Sequence, residues 1–261
     1  MKKNYWLALG GGAARGFIHI WVLKYLEEHN VEISEISGTS MWAIIASLIA
    51  IRKNSQQIIK IIDSLNILKL TDLWLKDWVI KWKKIEQKLA EVFWNTQIED
   101  LGINLSITAT NIETGKIKIF KKWSIVDSIR ASISLPGIFN PKKIGSHHYI
   151  DGGIMMNLPI EALNSKDIIA VSALKFGTGA IKKTNKILWI NFESGFFQNN
   201  YEVLKRSILF MMKANEDTSI DTPNKNIQLI RPKFGKLDLA DFNKVEQFVD
   251  LGYNAAQELK L

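Results

Sequence analysis

Apolar and polar positions near the start of the chain alternate between the period of a buried strand and that of a helix. Residues 5–9 form a short apolar run typical of a buried strand. Residues 14–28 carry apolar side chains at helical spacing, and residues 32–36 predict a second strand. Residues 41–51 predict a second helix, after a tight turn at residues 38–40. This order of strand, helix, strand and helix is typical of an α/β protein with a parallel sheet.

The remainder of the chain continues the alternation. Residues 55–94 are predicted to be mostly helical and amphipathic. Further strands are predicted at residues 105–110, 116–120, 148–150, 167–171, 187–191 and 227–230, and further helices at residues 125–133, 203–214 and 244–259. No linker-like segment or internal repeat divides the chain, so we expect a single domain over residues 1–261. Its sheet should be mainly parallel and lie between helices.

Composition and charge narrow the classes of protein. The 261 residues carry a formal net charge of +8 and include no cysteine, which excludes disulfides, thiolate chemistry and cysteine-ligated zinc. No signal-peptide pattern precedes the first strand, and no apolar run is long enough to cross a bilayer, so we expect a cytoplasmic protein. The scattered lysines favour transient, peripheral contact with an anionic membrane surface. No nucleic-acid motif is present, and no nucleic-acid partner is expected.

Three glycines follow the first predicted strand. Gly10, Gly11 and Gly12, with Ala13 after them, stand between a strand and a helix, where exposed backbone N–H groups can hold an anion. That anion could be a phosphate or the oxyanion of a tetrahedral intermediate. The run lacks the Gly-Lys-Ser/Thr ending of a P-loop, so a nucleoside triphosphate is not expected. A dinucleotide site is an alternative. It requires an acidic residue at the end of the second strand, for which Glu35 is the candidate.

Ser40 stands between the second strand and the second helix, at the expected mouth of the sheet. Gly38 allows the backbone to turn sharply two residues before it, and Thr39 completes a Gly-Thr-Ser sequence. The following helix would direct the positive end of its dipole at the serine oxygen. A helix N-cap without any chemistry would use the same residues, so the tripeptide alone leaves both readings open.

A third motif follows the strand predicted at residues 148–150. Asp151, Gly152 and Gly153 place a carboxylate at a strand end, where two glycines allow close approach to another loop. An ordinary Asp-Gly turn has the same sequence and is common. The combination and order of the three motifs therefore carry more weight than any one of them.

Together these motifs resemble the patatin-like phospholipase family. Residues 15–20, which begin with Arg15 and Gly16, also match, as do residues 130–139 and 151–159, and the resemblance covers roughly residues 5–163. It implies a three-layer α/β/α patatin-like fold and a Ser-Asp dyad. Ser40 would attack an acyl carbonyl, and Asp151 would accept its proton.

The resemblance also implies the partners of this dyad. Backbone amides at Gly10, Gly11, Gly12 and Ala13 would form the oxyanion hole. The substrate would be a phospholipid or other acyl-ester lipid, and neither a metal ion nor a cofactor is required. None of the four histidines is expected to complete a triad, although His147 and His148 lie near Asp151 in sequence.

Tryptophan at several positions departs from the family pattern. Trp42 occupies the last position of the usual Gly-x-Ser-x-Gly elbow, where an indole overpacks the turn. A catalytically impaired protein that binds a lipid or a partner is therefore the alternative function. Trp21, Trp94 and Trp123 also stand at positions where the sequences that this chain resembles usually have glycine. We hypothesise that these are UGA codons read as glycine in the source organism and as tryptophan in this translation; genuine aromatic residues are the alternative.

Overall fold

The strands and helices follow the predicted alternation. The computed structural model describes residues 4–65, 78–137, 139–175, 186–187, 190–191, 195–237 and 245–261. The strands are β1 (Asn4–Leu9), β2 (Glu32–Thr39), β3 (Asn104–Asn111), β4 (Ile117–Phe120), β5 (Lys142–Ile144), β6 (His147–Asp151), β7 (Asp167–Val171), β8 (Lys186–Ile187), β9 (Ile190–Asn191) and β10 (Asn226–Ile230). The α-helices are α1 (Ile18–Glu28), α2 (Trp42–Ala50), α3 (Ser55–Ser64), α4 (Trp78–Phe93), α5 (Ile125–Ser132), α6 (Gly195–Ile220) and α7 (Val245–Ala256). A short 3-10 helix (Ala13–Phe17) precedes α1.

Two sequence predictions are only partly tested by these elements. The strand predicted at 187–191 includes residues 188–189, and the helical segment predicted at 55–94 includes residues 66–77. Both stretches lie outside the described residues. The helix predicted over residues 14–28 begins as the 3-10 turn and becomes α-helical at Ile18.

Among the described residues, eight strands form one sheet in the order β10-β7-β1-β2-β3-β6-β5, with β4 also paired to β3. The strands from β10 to β3 are parallel to their neighbours. β4 and β6 run antiparallel to β3, and β5 runs antiparallel to β6. The predicted mainly parallel sheet is therefore confirmed, with an antiparallel edge.

Side chains of β1 show how the layers form. Leu7 and Leu9 point to one face and join the larger core with α1, α2, α5 and α7. Ala8 points to the other face and packs with Leu158 and Ile160, near the end of α6. This alternation is the period of a strand buried on both faces, and it gives the three-layer arrangement of helices around the sheet.

The loops that follow β1 and β2 lie at the carboxyl ends of the parallel strands. In open α/β sheets this edge is where ligands bind, and both the glycine run and Ser40 are found here. Across the described ranges, no helix is long and apolar enough to cross a membrane.

Candidate active site

Ser40 lies in a strained turn between β2 and α2. β2 ends at Thr39, α2 begins at Trp42, and Ser40 itself has φ of 60°. A non-glycine residue in this left-handed region is uncommon, and such strain concentrates at functional sites. The Ser40 N–H donates to Ser132 Oγ at 2.8 Å, which fixes the turn against the end of α5. This is the geometry of a nucleophile elbow.

Asp151 is the last residue of β6 and is almost completely buried. Its Oδ2 accepts a hydrogen bond from Ser40 Oγ at 2.7 Å, and its Oδ1 accepts one from the Gly153 N–H at 2.8 Å. Burial raises the pKa of the Asp151 carboxyl to about 6, while the bonds from Ser40 and Gly153 partly oppose that rise. The carboxylate is thus a stronger base than an exposed aspartate and is still mostly ionised at neutral pH.

β3 brings these two residues together. Thr39 pairs with Thr108, and Asp151 pairs with the next residue, Ala109, on the same side of β3, because β4 occupies the opposite side at both positions. The hydroxyls of Thr39 and Thr108 are hydrogen-bonded at 2.6 Å. Ser40, which follows Thr39, and Asp151 therefore lie next to each other along one side of a central strand.

Glycine after Asp151 has a steric reason. A Cβ on Gly152 would collide with the backbone carbonyl of Thr108. The Asp151 N–H donates to the Ser134 carbonyl at 2.9 Å, and Thr110 Oγ1 donates to the Asp151 carbonyl at 3.1 Å. These contacts hold the strand end in place while the chain turns sharply beside β3.

The glycine run lies against Ser40, but its four amides are not equivalent. The Gly10 N–H donates to the Val171 carbonyl at 2.9 Å, and the Gly11 N–H donates to the Asn157 carbonyl at 3.1 Å. Each N–H has one hydrogen, so these two amides are already engaged. Among the described residues, the N–H groups of Gly12 and Ala13 have no acceptor. Of the four amides expected to face an oxyanion, those of Gly10 and Gly11 are therefore used within the fold, and those of Gly12 and Ala13 are available to a ligand.

Arg15 and Gly16 lie in the 3-10 helix that directly follows the glycine run. The Arg15 side chain is buried, and its guanidinium lies 5.6 Å from the centre of the Phe234 ring. Gly16 lies directly against the indole of Trp42, leaving no room there for a side chain. Gly38 is similarly covered by α2, where a Cβ would lie 2.7 Å from that of Ala46.

The side chain of Trp42, two residues after Ser40, is buried. Its ring packs edge-on against Phe17 and His19, with ring centres 5.5 and 5.2 Å apart. The Ser40–Asp151 hydrogen bond forms with this indole in place. The indole Nε1 is nevertheless buried with no acceptor among the described residues, which is unfavourable for a polar group.

None of the four histidines, all of which the structure describes, is hydrogen-bonded to Ser40 or Asp151. His19 is buried, its Nε2 lies 3.0 Å from the Gly10 carbonyl, and burial lowers its pKa to about 3. A neutral ring must then donate from Nε2 to that carbonyl, so His19 supports the glycine loop. His29 bonds to the Tyr25 carbonyl, and His148 to Glu113. Across the described ranges, no group of three or more His, Asp or Glu residues could hold a metal ion.

Glu35 does not serve the dinucleotide alternative. It lies in the middle of β2, paired with Trp6 and Asn104, and not at the carboxyl end of the strand. Its buried carboxylate accepts two hydrogen bonds from Asn164, each at 2.9 Å. The residue is a structural acceptor at some distance along the strand from the glycine run.

Several residues of the site have no assigned role in the sequence analysis. Ser132 lies within a segment that resembles the family, and Asn157 follows the Asp-Gly-Gly motif. Asn215 and Glu216 belong to α6, where helical spacing gives no sign that they contact the site. Only the fold brings them to it.

The chain is similar in sequence to a described family and to several curated proteins. The family described as Patatin-like phospholipase matches residues 7–164. An uncharacterized NTE family protein of Mycobacterium tuberculosis is 33% identical over 172 residues, which are 64% of this chain and 48% of that protein. Lysophospholipase NTE1 of Meyerozyma guilliermondii is 26% identical over 97% of this chain and 19% of its own length. The chain thus spans about half or less of these curated relatives.

A solved structure supports the fold. The crystal structure of VipD from Legionella pneumophila superimposes with a TM-score of 0.51 at 15% identity, covering 98% of this chain and 67% of VipD. Likeness at this identity concerns the fold alone. The family match includes the glycine run, the Ser40 elbow and Asp151, and from its extent we conclude that the chain belongs to the patatin-like phospholipase family.

Proposed function

We propose that this protein is a serine acyl hydrolase that cleaves the acyl ester of a phospholipid or related lipid. The observation that carries the proposal is the 2.7 Å hydrogen bond from Ser40 Oγ to the buried Asp151 carboxylate. A nucleophile and its base in hydrogen-bond contact at a strained elbow are what covalent acyl transfer requires. The proposed substrate class comes from the family and from relatives named lysophospholipases.

The proposed reaction has two halves. Ser40 Oγ attacks the acyl carbonyl carbon while its proton passes to Asp151, and the N–H groups of Gly12 and Ala13 stabilise the oxyanion. Collapse of the tetrahedral intermediate breaks the ester bond, and Asp151 returns the proton to the departing alcohol. A water molecule then gives a proton to Asp151 and attacks the acyl-enzyme carbonyl. As the bond to Ser40 Oγ breaks and the fatty acid leaves, Asp151 passes that proton to Oγ, which restores both residues.

Asp151 can act without histidine because of its environment. An exposed aspartate has a pKa near 4 and is a weak base, whereas this buried carboxyl has a pKa of about 6. A base whose pKa lies near the working pH transfers protons most effectively. The raised pKa therefore supports a dyad mechanism at neutral pH.

The net charge of the chain bears on where the protein would meet its substrate. A net charge of +8 would favour transient contact with an anionic lipid surface. We expect a cytoplasmic protein that reaches its substrate at the membrane periphery.

Two rival functions receive less support. The dinucleotide alternative loses its acidic residue, because Glu35 is engaged with Asn164 in mid-strand. The impaired alternative rests on Trp42, yet the dyad is formed with that side chain packed against Phe17 and His19. A binding function remains the reading to adopt if no acyl-enzyme forms.

Covalent labelling by a fluorophosphonate probe tests the proposal. The chain as written and a variant with glycine at Trp21, Trp42, Trp94 and Trp123 are labelled in parallel, each with a Ser40→Ala control. Labelling that disappears in the control supports the hydrolase, and hydrolysis of a lysophospholipid then tests the substrate class. Two folded proteins that both fail to label would contradict it.

A further inference from the structure

Asn157 connects the glycine loop to a charged group on a different part of the chain. The side-chain Nδ2 of Asn157 donates to the Gly11 carbonyl at 3.3 Å and to Glu216 Oε2 at 2.8 Å. The backbone carbonyl of Asn157 accepts the Gly11 N–H. Two acceptors around Nδ2 fix which way the amide points. Its Oδ1 then faces Gly11, where an added Cβ would lie only 2.5 Å away.

Glu216 is fully buried and makes no hydrogen bond to the dyad itself. Besides Asn157, its carboxylate accepts hydrogen bonds from the Ser172 hydroxyl and from Arg231 Nη2, the latter at 2.6 Å. A buried carboxylate is retained only when its oxygens are paired. Both oxygens of Glu216 are paired. Oε2 accepts from Asn157, and Oε1 accepts from Ser172 and Arg231, which directly follow β7 and β10.

The neighbouring residue reaches the other half of the site. Asn215 Nδ2 donates to the carbonyls of Gly153 and Ile154 at 3.0 and 3.2 Å, and its Oδ1 accepts the Asn157 N–H at 2.7 Å. Gly153 is the residue whose N–H binds Asp151. Two consecutive residues of α6 therefore contact the segments that carry the oxyanion donors and the base.

We propose that Asn215 and Glu216 are positioning residues, which hold the glycine loop and the Asp151 turn at the separation needed for acyl transfer. This inference rests on the proposed function and extends it beyond residues 7–164, the part that the family match covers. Loss of Glu216 would leave Gly12 and Ala13 free to shift relative to Ser40. Displacement of a catalytic group by about 1 Å can lower turnover by about a hundredfold.

Glu216→Gln is the main test, and Glu35→Gln is its matched control. Both glutamates are buried and accept an asparagine side-chain N–H, but among the described residues Glu35 bonds only Asn164, away from Ser40 and Asp151. With a soluble acyl ester and at a temperature where both variants are folded, we expect Glu216→Gln to lower kcat about ten- to a hundredfold. KM should change less than threefold or so, because substrate contacts remain. A fall in kcat no larger than that of Glu35→Gln would overturn the inference.

A second variant and a second measurement keep the test independent of folding and of turnover. Asn215→Ala removes the contacts to Gly153 and Ile154 from a half-buried position, and it should also lower kcat more than KM. Hydrogen exchange over residues 9–17 should quicken in Glu216→Gln and not in Glu35→Gln, even if the wild-type chain is inactive. Unlabelled Ser40 with faster exchange would refute the hydrolase alone; unchanged exchange would refute the positioning role.

A separate observation concerns two tryptophans with the backbone conformation of glycine. Trp94 follows the last residue of α4 with φ of 49° and is 78% exposed. This is the position after a helix where glycine in the left-handed region is preferred. Trp123 has φ of 126° and is 47% exposed, in a region of backbone space that only glycine adopts readily.

The backbone, and not the indole, makes the contacts at Trp123. Its N–H donates to Glu99 Oε2 at 2.8 Å, and its carbonyl accepts the Ile98 N–H at 2.9 Å. The chain must therefore hold this conformation for the turn before α5. We infer that residues 94 and 123 are glycine in the protein made in its own cell, encoded by UGA. Trp42 and Trp21, whose Nε1 atoms are buried without a described acceptor, would follow by the same codon.

The coding sequence tests this directly. UGA at both positions 94 and 123 supports the inference, and UGG at either overturns it for that residue. Thermal unfolding adds a physical test: Trp94→Gly and Trp123→Gly should each raise the midpoint by about 2–4 °C. The corresponding alanine variants separate relief of backbone strain from removal of an exposed indole. Alanine variants as stable as the glycine ones would contradict the conformational argument. Trp6→Gly is the control, because Trp6 lies within β1 and has no positive φ; this variant should have a lower midpoint.

Discussion

Replacing Asp151 by asparagine removes a buried charge without changing the shape of the side chain, so its effects on stability and on activity should have opposite signs. Burial raises the pKa of this carboxyl from 3.8 to about 6 in the folded protein. Between these two values the folded state binds more protons than the unfolded state. Stability therefore falls as pH rises through this window and stays lower above it.

The size of the effect follows from the shift. One pKa unit corresponds to about 1.4 kcal/mol, so the ionised carboxylate lowers the free energy of unfolding at neutral pH by about 3 kcal/mol. The asparagine variant avoids this penalty at every pH. Its advantage over the wild type should therefore be about 2 kcal/mol larger at pH 7.5 than at pH 4.5, where the wild-type carboxyl is mostly protonated.

Urea unfolding of both proteins at the two pH values measures this difference. His19 also destabilises the fold in acid, because its pKa is lowered to about 3 and the unfolded state takes up a proton first. Both proteins contain His19, so its contribution cancels in the comparison. The variant should lose about 10²–10⁴-fold in acyl-ester turnover, as expected when a general base is removed. An advantage of equal size at both pH values would refute the assignment of the raised pKa to Asp151.

Three further outcomes are expected. The kcat/KM of the wild type should rise with pH through about 6 and level off above it, since Asp151 must be ionised to accept the Ser40 proton; a profile flat from pH 5 to 8 would argue against this base. Ser132→Ala removes the hydroxyl that accepts the Ser40 N–H, and it should lower stability by about 1 kcal/mol and kcat by about tenfold, as measured by urea unfolding and steady-state kinetics. In Gly152→Ala the free energy of unfolding should fall by about 1–3 kcal/mol or more, because the added Cβ meets the Thr108 carbonyl. Gly102→Ala is the control: its Cβ would lie 3.6 Å from the Arg52 guanidinium, and its free energy of unfolding should be close to that of the wild type.

The periodic parts of the fold could be predicted because they depend on local sequence. The apolar run before the glycines and the helical spacing after them gave β1 and α1 within a few residues. β3 and β4 were likewise visible as two apolar runs around a Glu-Thr-Gly turn. The antiparallel edge was not, because β5 has only three residues and its pairing with β6 depends on register.

The hydrogen-bond partners of the glycine-run amides could not be predicted from local sequence. A glycine run indicates exposed amides, yet the N–H groups of Gly10 and Gly11 are used by Val171 and Asn157, which follow them by more than a hundred positions. The unusual φ angles of Trp94 and Trp123 are equally invisible in the letters. The hypothesis that these residues replace glycine came from the family pattern, and the backbone conformation gives it a physical reason.

The sequence by itself determined the order of strands and helices, because that order follows from short-range spacing and residue type. Ser40 and Asp151 were singled out by the order of three motifs that resembles a known family, and not by local spacing alone. The tertiary structure decided that Ser40 and Asp151 meet, since Thr39 and Asp151 pair with consecutive residues on the same side of β3. It also decided that a carboxylate on α6 holds the glycine loop through Asn157. Contacts between residues so far apart in the chain depend on how the sheet and helices pack, and no local pattern specifies them.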